Sequence, residues 1–423
     1  MDMQVVPVPL FDQNMAVEAY LLRYQRGNTL FALNQLTSLL DGGSNSPLLD
    51  MLNLVGTDTF TLGKPIIVPI KNVMLVGDLE KQYTGDPEKV IFLTEETFPA
   101  KEPYLGRMKA LKQLGFRFAF SSLEQLRACP AALSVLSYIF IGQHSREAVG
   151  AQKTMHKLKR ASSSDIRFVA SNVDEKAVFT SLLGTEYALF EGAFFRTPVS
   201  QGKKEINPMK MNSISLINMV QDPNFEFDEI ARIVQRDTAL TISLLRLVNS
   251  AGMGLRNEIK TISHAVTMLG QKEVRKWVTT AVAQMLGADK PDELTKLSLI
   301  RARFSENLAP YFKAERDDGT PFLMGLFSVI DLILEMPMAQ AFESVLVPDV
   351  VKKALVEKQG PLAPIYSMIS DYEAADWSAV SRHMIVSGIR DEDLYNAYID
   401  SLTWYSSTMS EVFSQKAESG GEK

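Results

Sequence analysis

The chain has 423 residues, 46% of them hydrophobic and 22% charged, and a formal net charge of −6. That length holds two domains, or three at most, each able to bury a core of its own, and the negative balance excludes a globally basic surface for nucleic acid. The single cysteine, Cys129, excludes an internal disulfide framework, which fits a reducing cytoplasm.

The opening residues, MDMQVVPVPLFDQN, lack a basic region followed by an apolar one, so no signal peptide is expected. Apolar runs such as Leu323–Leu334 are too short and too interrupted to span a bilayer, and a cytoplasmic location without a membrane span is expected. Short β-branched and aromatic runs occupy the first part of the chain: Val5–Leu10, Val17–Leu22, Pro65–Ile70, Val90–Thr94, Phe116–Phe120, Tyr138–Ile141, Arg167–Ala170 and Tyr187–Phe190. From the third onward they recur at the spacing of βα units, and between them a stretch such as Tyr104–Leu114, stopped by Gly115, reads as a helix. Eight such units predict an α/β barrel of the (β/α)8 kind, although periodicity alone leaves an open doubly wound sheet in play. Basic residues cluster at Lys153–Arg160 and at Lys203–Lys204, best read as a solvated helix face and a linker.

Residues 200–208 (SQGKKEINP) are polar with Gly and Pro and read as a linker that closes a first domain over 1–199. Beyond it the strand signals fade. Ile214, Ile217 and Val220, then Ile230, Ile233 and Val234, then Leu240, Leu244, Leu247 and Val248 recur at helical spacing, with Asp222-Pro223 as a break and Asp237 or Thr238 as a cap. Helical patterns continue at Thr261–Leu269, Glu273–Leu286, Leu294–Phe312, Phe322–Leu334, Val347–Glu357, Leu362–Ala374 and Trp377–Ser387. An all-α domain over 209–407 is predicted, followed by a polar, disordered tail over 408–423.

Two stretches resemble known families. Leu244–Gly270 (LLRLVNSAGMGLRNEIKTISHAVTMLG) resembles the HDOD domain, a non-enzymatic relative of the HD phosphohydrolases. The first half resembles the EAL barrels found ahead of HDOD domains: Val8-Pro9-Leu10-Phe11-Asp12 is similar to their QPIFD strand, Ala19–Tyr24 to their GYELLYR, and Glu191–Pro198 (EGAFFRTP) to their QGYFFSKP ending. The EAL resemblance implies a two-metal phosphodiesterase that hydrolyses cyclic di-GMP, with Mg²⁺ or Mn²⁺ held by converging carboxylates and an Asn.

Set against that pattern, the residues depart from it. The motif Glu falls on Leu21, with Glu18 three residues away. The Asn falls near Pro69, the Glu pair on Phe92 and Glu95, the Asp pair on Ser121 and Ser122, the Lys and following Asp on Phe140 and Gly142, a further Glu on Ser171, and the final Gln on Glu191. Arg23 stands two residues out of register with the motif Arg. Glu95, Asp174 and Glu191 are the carboxylates that remain for a metal. In the second half, Ser328 and Val329 stand where HD enzymes place His-Asp, and His264 reads as a packing or hydrogen-bonding residue. Cys129, just before a proline, reads as structural.

The expectation is a degenerate barrel joined to an HDOD domain, with no enzyme activity. No catalytic, cofactor-binding or metal-ligating residue is assigned and no cofactor is expected. The expected role is regulation through contact with other signalling proteins (a kinase, a cyclase or a regulator), with a homodimer as one arrangement and with Met209–Met219 and Leu323–Met338 as candidate docking segments that read better as buried core. Cyclic di-GMP is not expected to bind. The alternative is a cyclic di-GMP receptor or phosphodiesterase.

Overall fold

The computed structural model describes residues 3–26, 46–96, 102–161, 166–198, 206–249, 259–312 and 319–412. The chain divides between Thr197 and Pro198 into two compact units.

The first unit is a closed barrel of eight strands in sequence order: β1 Met3–Phe11, β2 Val17–Arg26, β3 Ile66–Ile70, β4 Val90–Thr94, β5 Arg117–Phe120, β6 Leu136–Gly142, β7 Arg167–Ser171 and β8 Tyr187–Glu191. The eight predicted runs are these eight strands. From β2 to β8 all neighbours pair in parallel, but β1 is antiparallel to both β2 and β8. The first two strands are therefore a hairpin, which corrects the eightfold βα repeat. The reason is local: a parallel crossover needs about a dozen residues, and only Asp12–Ala16 separate β1 from β2. Asp12 shapes that turn, its Oδ1 accepting the backbone N–H groups of Asn14 and Ala16, each at 2.8 Å.

Alternation along each strand sends every second side chain into the barrel. The interior is apolar: Leu10, Ala19, Leu21, Ile67, Ile91, Leu93, Ala119, Tyr138, Phe140, Val169 and Leu189 pack into one buried cluster. The opposite faces of the strands bury a second apolar layer, with Phe92 of β4 stacked on Phe116 at 5.1 Å and Phe190 of β8 edge-on to Phe179 at 5.0 Å. Because helices cover that outer face, the strands read as nearly continuous hydrophobic runs and not as alternating ones.

The second unit is all helical among its described residues, from Pro208–Gln221 to Asp391–Val412. Helix Pro208–Gln221 starts on the last residue of the expected linker, and residues 199–205 lie outside the described residues. Asp237 caps Thr238–Val248, its Oδ1 accepting the Leu240 N–H at 3.0 Å. The two helices expected over Thr261–Leu269 and Glu273–Leu286 both lie within Ile262–Leu286, separated by a kink at Gly270, whose backbone is non-helical (φ 74°, ψ 167°). Phe322–Leu334 is interrupted instead, as Thr320–Phe327 and Ile330–Leu334.

Gly325 explains the close packing of Thr320–Phe327 on Asp292–Leu308, since a Cβ there would stand 2.2 Å from the Arg301 carbonyl oxygen. The final helix continues to Val412, so it enters the segment expected as a tail, and 413–423 lie outside the described residues. Among the described residues no helix is long and apolar enough to cross a membrane.

Candidate functional site at the carboxyl mouth of the barrel

Strands β2 to β8 all deliver their carboxyl ends to one end of the barrel, the end where barrel folds gather their chemistry. Extending the interior pattern by two residues identifies the side chains of that mouth. Ala19 and Leu21 lead to Arg23 on β2, Ile67 to Pro69 on β3, and Ile91 and Leu93 to Glu95 just beyond β4. Ala119 leads to Ser121, Phe140 to Gly142, Val169 to Ser171 and Leu189 to Glu191. An apolar core thus gives way, within one layer, to a rim whose charged members are Arg23, Glu95 and Glu191.

Glu191 is the best-anchored of the three. Its side chain is 3% exposed, Oε1 accepts from Arg23 Nη2 at 2.6 Å, and Oε2 accepts the Asn172 backbone N–H at 3.1 Å. Both oxygens of this buried carboxylate are thus satisfied, as a charge removed from water requires. The backbone around it is equally constrained. Val173 donates to the Glu191 carbonyl at 3.0 Å, and a Cβ on Gly192 (φ 153°) would stand 2.0 Å from the Val173 oxygen. The glycine after Glu191 is therefore the only residue type that lets the ends of β7 and β8 close on each other.

Arg23 is 40% exposed. Glu95 lies at the rim, where partial burial raises its carboxyl above the usual carboxylate range, the Arg23 charge opposes that rise, and Glu96 adds to it. Glu96 itself accepts the Asn72 N–H at 3.0 Å.

The remaining aligned residues take structural places. Leu21 and Phe140 are interior core, and Phe92 is on the outer face among Phe116 and Phe118. Ser122 caps helix Leu123–Ala128 in a reciprocal capping box with Gln125, and Gln125 Oε1 also accepts from Ser121 Oγ at 3.1 Å. Asp174 is held away from Glu191, accepting the Ala193 N–H at 3.2 Å and facing His144 at 3.7 Å on the exposed rim. Glu18 pairs with Arg167 at 3.3 Å. Cys129 is buried at the end of Leu123–Ala128.

Glu95, Asp174 and Glu191 do not converge. Among the described residues no three His, Cys, Asp or Glu side chains stand close enough to share a metal ion. The Mg²⁺ or Mn²⁺ pair implied by EAL barrels needs several anionic oxygens pointing inward, whereas this mouth offers Glu191, already committed to a guanidinium, and Glu95, with no third carboxylate close enough to join them among the described residues. The donor set does not fit that pair.

In the helical unit, Ser328 lies in a buried network. Its Oγ donates to the Gly325 carbonyl at 2.6 Å and accepts from Arg301 Nη1 at 3.1 Å, while Arg301 binds Glu373 through Nε at 2.8 Å and Nη2 at 2.6 Å. Both ends of that ion pair are under a tenth exposed. Burial by itself pulls the Arg301 guanidinium down, and the pairing with Glu373 outweighs it, so the group is held above its ordinary range.

Val329 is buried core. His264, read as a packing or hydrogen-bonding residue, is exposed in the first turn of Ile262–Leu286, where the neighbouring Ile262, Ala265 and Val266 are buried. Of the candidate docking segments, Leu323–Met338 is almost wholly buried, and Met209–Met219 buries Ile214, Leu216 and Ile217 while leaving Met211 41% exposed.

Sequence reading missed the Arg23–Glu191 pair, 168 residues apart. The signal that finds it is the two-residue alternation Ala19, Leu21, Arg23 on β2 matched to Leu189, Glu191 on β8.

The HDOD domain family matches residues 208–354. The cyclic di-GMP phosphodiesterase CdgJ of Vibrio cholerae is 30% identical over 321 residues, covering 75% of this chain and 73% of that protein, a span longer than either unit. The uncharacterized protein YuxH of Bacillus subtilis is 22% identical over 404 residues, covering 94% of this chain and 96% of its own. A solved EAL domain protein of Listeria monocytogenes aligns with 46% of this chain and 87% of its own at 12% identity, with a TM-score of 0.36.

The similarity to CdgJ corrects the expectation that the chain is not an enzyme. A relative that spans both units is named for turnover of cyclic di-GMP, so the neutral residues at Leu21, Pro69, Ser121 and Ser171 do not establish a loss of activity. The shared length and identity with CdgJ, together with the HDOD match, make the chain a member of the EAL–HDOD signal transduction family.

Proposed function

We propose that the chain acts in cyclic di-GMP signalling by engaging the dinucleotide at the carboxyl mouth of its barrel, as a phosphodiesterase or as a receptor. The observation that carries this reading is the 30% identity to a cyclic di-GMP phosphodiesterase over a span longer than either unit. The mouth supports it chemically. A ligand with two phosphodiesters and two purines needs a concave, partly apolar seat with a few fixed polar groups, and the rim sets Arg23, Glu95 and Glu191 above an apolar interior.

Calorimetric titration of the full chain with cyclic di-GMP, in chelator and in Mn²⁺, followed by chromatography for the linear dinucleotide, tests this. Heat with product identifies a phosphodiesterase, and heat without product a receptor. Neither heat nor product in either condition overturns the proposal.

A further inference from the structure

We propose that helix Ala151–Ala161 is a membrane-docking face, through which the barrel adsorbs to a bilayer surface containing acidic phospholipid. The inference is independent of the ligand at the mouth.

The first support is the pattern. The helix carries Lys153, Lys157, Lys159 and Arg160 and no acidic residue. Lys153, Lys157 and Arg160 stand at i, i+4 and i+7, so they line one face over about 10 Å. All three are exposed, whereas Ala151 and Met155, on the opposite face, are buried. The helix is therefore anchored in the fold and presents its charges without further ordering.

The second is availability. Glu186 takes up Lys159 at 2.8 Å and His156 at 3.2 Å, but among the described residues Lys153, Lys157 and Arg160 make no ion pair. Like charges at i, i+3 and i, i+4 repel on a helix surface, and an anionic surface relieves that repulsion.

The third is contrast with the rest of the unit. Residues 1–197 hold equal numbers of basic and acidic side chains, so the whole net charge of −6 lies beyond them and the helix is a local positive excess in a neutral barrel. Acidic groups more than a Debye length away, about 8 Å at physiological salt, are screened from a surface that the helix touches.

The chemistry of the face selects the occupant. Lysine is a compact, hydrated point charge suited to a diffuse layer of headgroups, whereas the centres of protein interfaces favour Trp, Tyr and Arg and deplete Lys. The helix carries no Phe, Tyr or Trp on which nucleic-acid bases could stack. Val149, two residues ahead of the helix and 87% exposed, adds an apolar side chain beside the cations, the combination found in interfacial anchors. Each basic side chain at an anionic leaflet strengthens attachment by about fivefold, so three give about a hundredfold. That supports reversible, salt-sensitive adsorption and no insertion.

The test sediments the full chain with vesicles of phosphatidylcholine alone, or with about two-fifths phosphatidylglycerol, at about 50 and about 500 mM NaCl. Wild type is expected to bind only the anionic vesicles, at least about tenfold more weakly at the higher salt. The variant Lys153→Gln/Lys157→Gln/Arg160→Gln is expected to lose about a hundredfold in affinity while melting like wild type.

A second variant, Lys64→Gln/Lys71→Gln/Lys81→Gln, removes as many exposed positive charges from elsewhere on the barrel and is expected to bind like wild type. Equal losses in the two variants would reduce the effect to net charge and overturn the inference. So would equal binding to both vesicle types, or no binding at low salt. Tighter capture of a duplex DNA probe than of the anionic vesicles, dependent on Lys153, Lys157 and Arg160, would assign the face to nucleic acid and overturn the membrane as its occupant.

Discussion

Each unit holds an arginine–glutamate pair, Arg23–Glu191 in the barrel and Arg301–Glu373 among the helices, and the two pairs differ in burial and in the number of hydrogen bonds they make. Arg301 and Glu373 are both under a tenth exposed, bonded twice to each other and once to Ser328, and they join the helices Asp292–Leu308 and Ala363–Glu373 and the turn after Thr320–Phe327. Three of the five N–H groups of that guanidinium are engaged and the side chain is only 8% exposed, so a ligand has little access to it. Arg23 uses one nitrogen on a buried carboxylate and keeps its outer face in solvent. The same two residue types make a buried rivet in one unit and a half-exposed pair at the barrel mouth in the other. What separates them is access to water and the number of donors already spent, neither of which residue identity reveals.

The largest expected effect tests the rivet. Glu373→Ala strands the buried Arg301 charge and should destabilise the helical unit by about 3–5 kcal/mol. Differential scanning calorimetry should register this as a drop on the order of 10 °C in that unit's transition. Replacing the pair together, Arg301→Met/Glu373→Leu, should cost much less, because no charge is left unpaired. A double replacement as damaging as the single one would show that the network does more than satisfy its own charges.

A smaller effect is expected at the mouth. Gly192→Ala drives a Cβ into the Val173 carbonyl and should cost the barrel about 1–3 kcal/mol, read as a lower urea midpoint. Glu191→Gln keeps the shape and the Asn172 hydrogen bond but loses the charge on Arg23, for a loss of about 1–2 kcal/mol in the same measurement. If this loss matched that of Glu373→Ala, the Arg23 pair would belong with the structural one and the contrast would collapse.

The smallest effect is at Glu95. Burial raises its carboxyl above its ordinary value of 4.5, so its protonated form is favoured by the fold. The associated stability is fully present below that ordinary value and is lost as pH rises through the higher, folded one. Glu95→Gln should therefore flatten the barrel's stability profile above 4.5 and leave the variant slightly more stable near neutrality, by roughly 0.5 kcal/mol or less given its solvent exposure. Urea midpoints across that range measure it.

The strands were legible because buried parallel strands must be short, β-branched and aromatic, as Val90–Thr94 and Tyr138–Ile141 are. The reversal of β1 was not, because the runs record burial and not direction; only the five-residue spacing to β2 encodes it. Helix Asp391–Val412 also escaped the reading. Its buried positions are largely tyrosines and small residues, including Tyr395, Tyr398, Ser401 and Tyr405, so the apolar stripe that marks a helix is blurred. At the site, comparison with family motifs directed attention to Leu21 and away from Arg23. Motif register compares positions along a line, whereas the charge pair is made across the closed barrel between β2 and β8.

The reversed first strand has a practical consequence. Because β1 runs against its neighbours, Met3 pairs with Arg26 and Val6 with Arg23, and the start of β1 lies beside the mouth and not at the opposite rim. Any tag, fluorophore or domain joined ahead of residue 3 would start beside Arg26, three residues beyond Arg23 on the same side of the barrel. A dye placed there would report occupancy of the mouth directly, and a bulky fusion there would obstruct it, so the choice of labelled end decides whether an assay observes the site or blocks it.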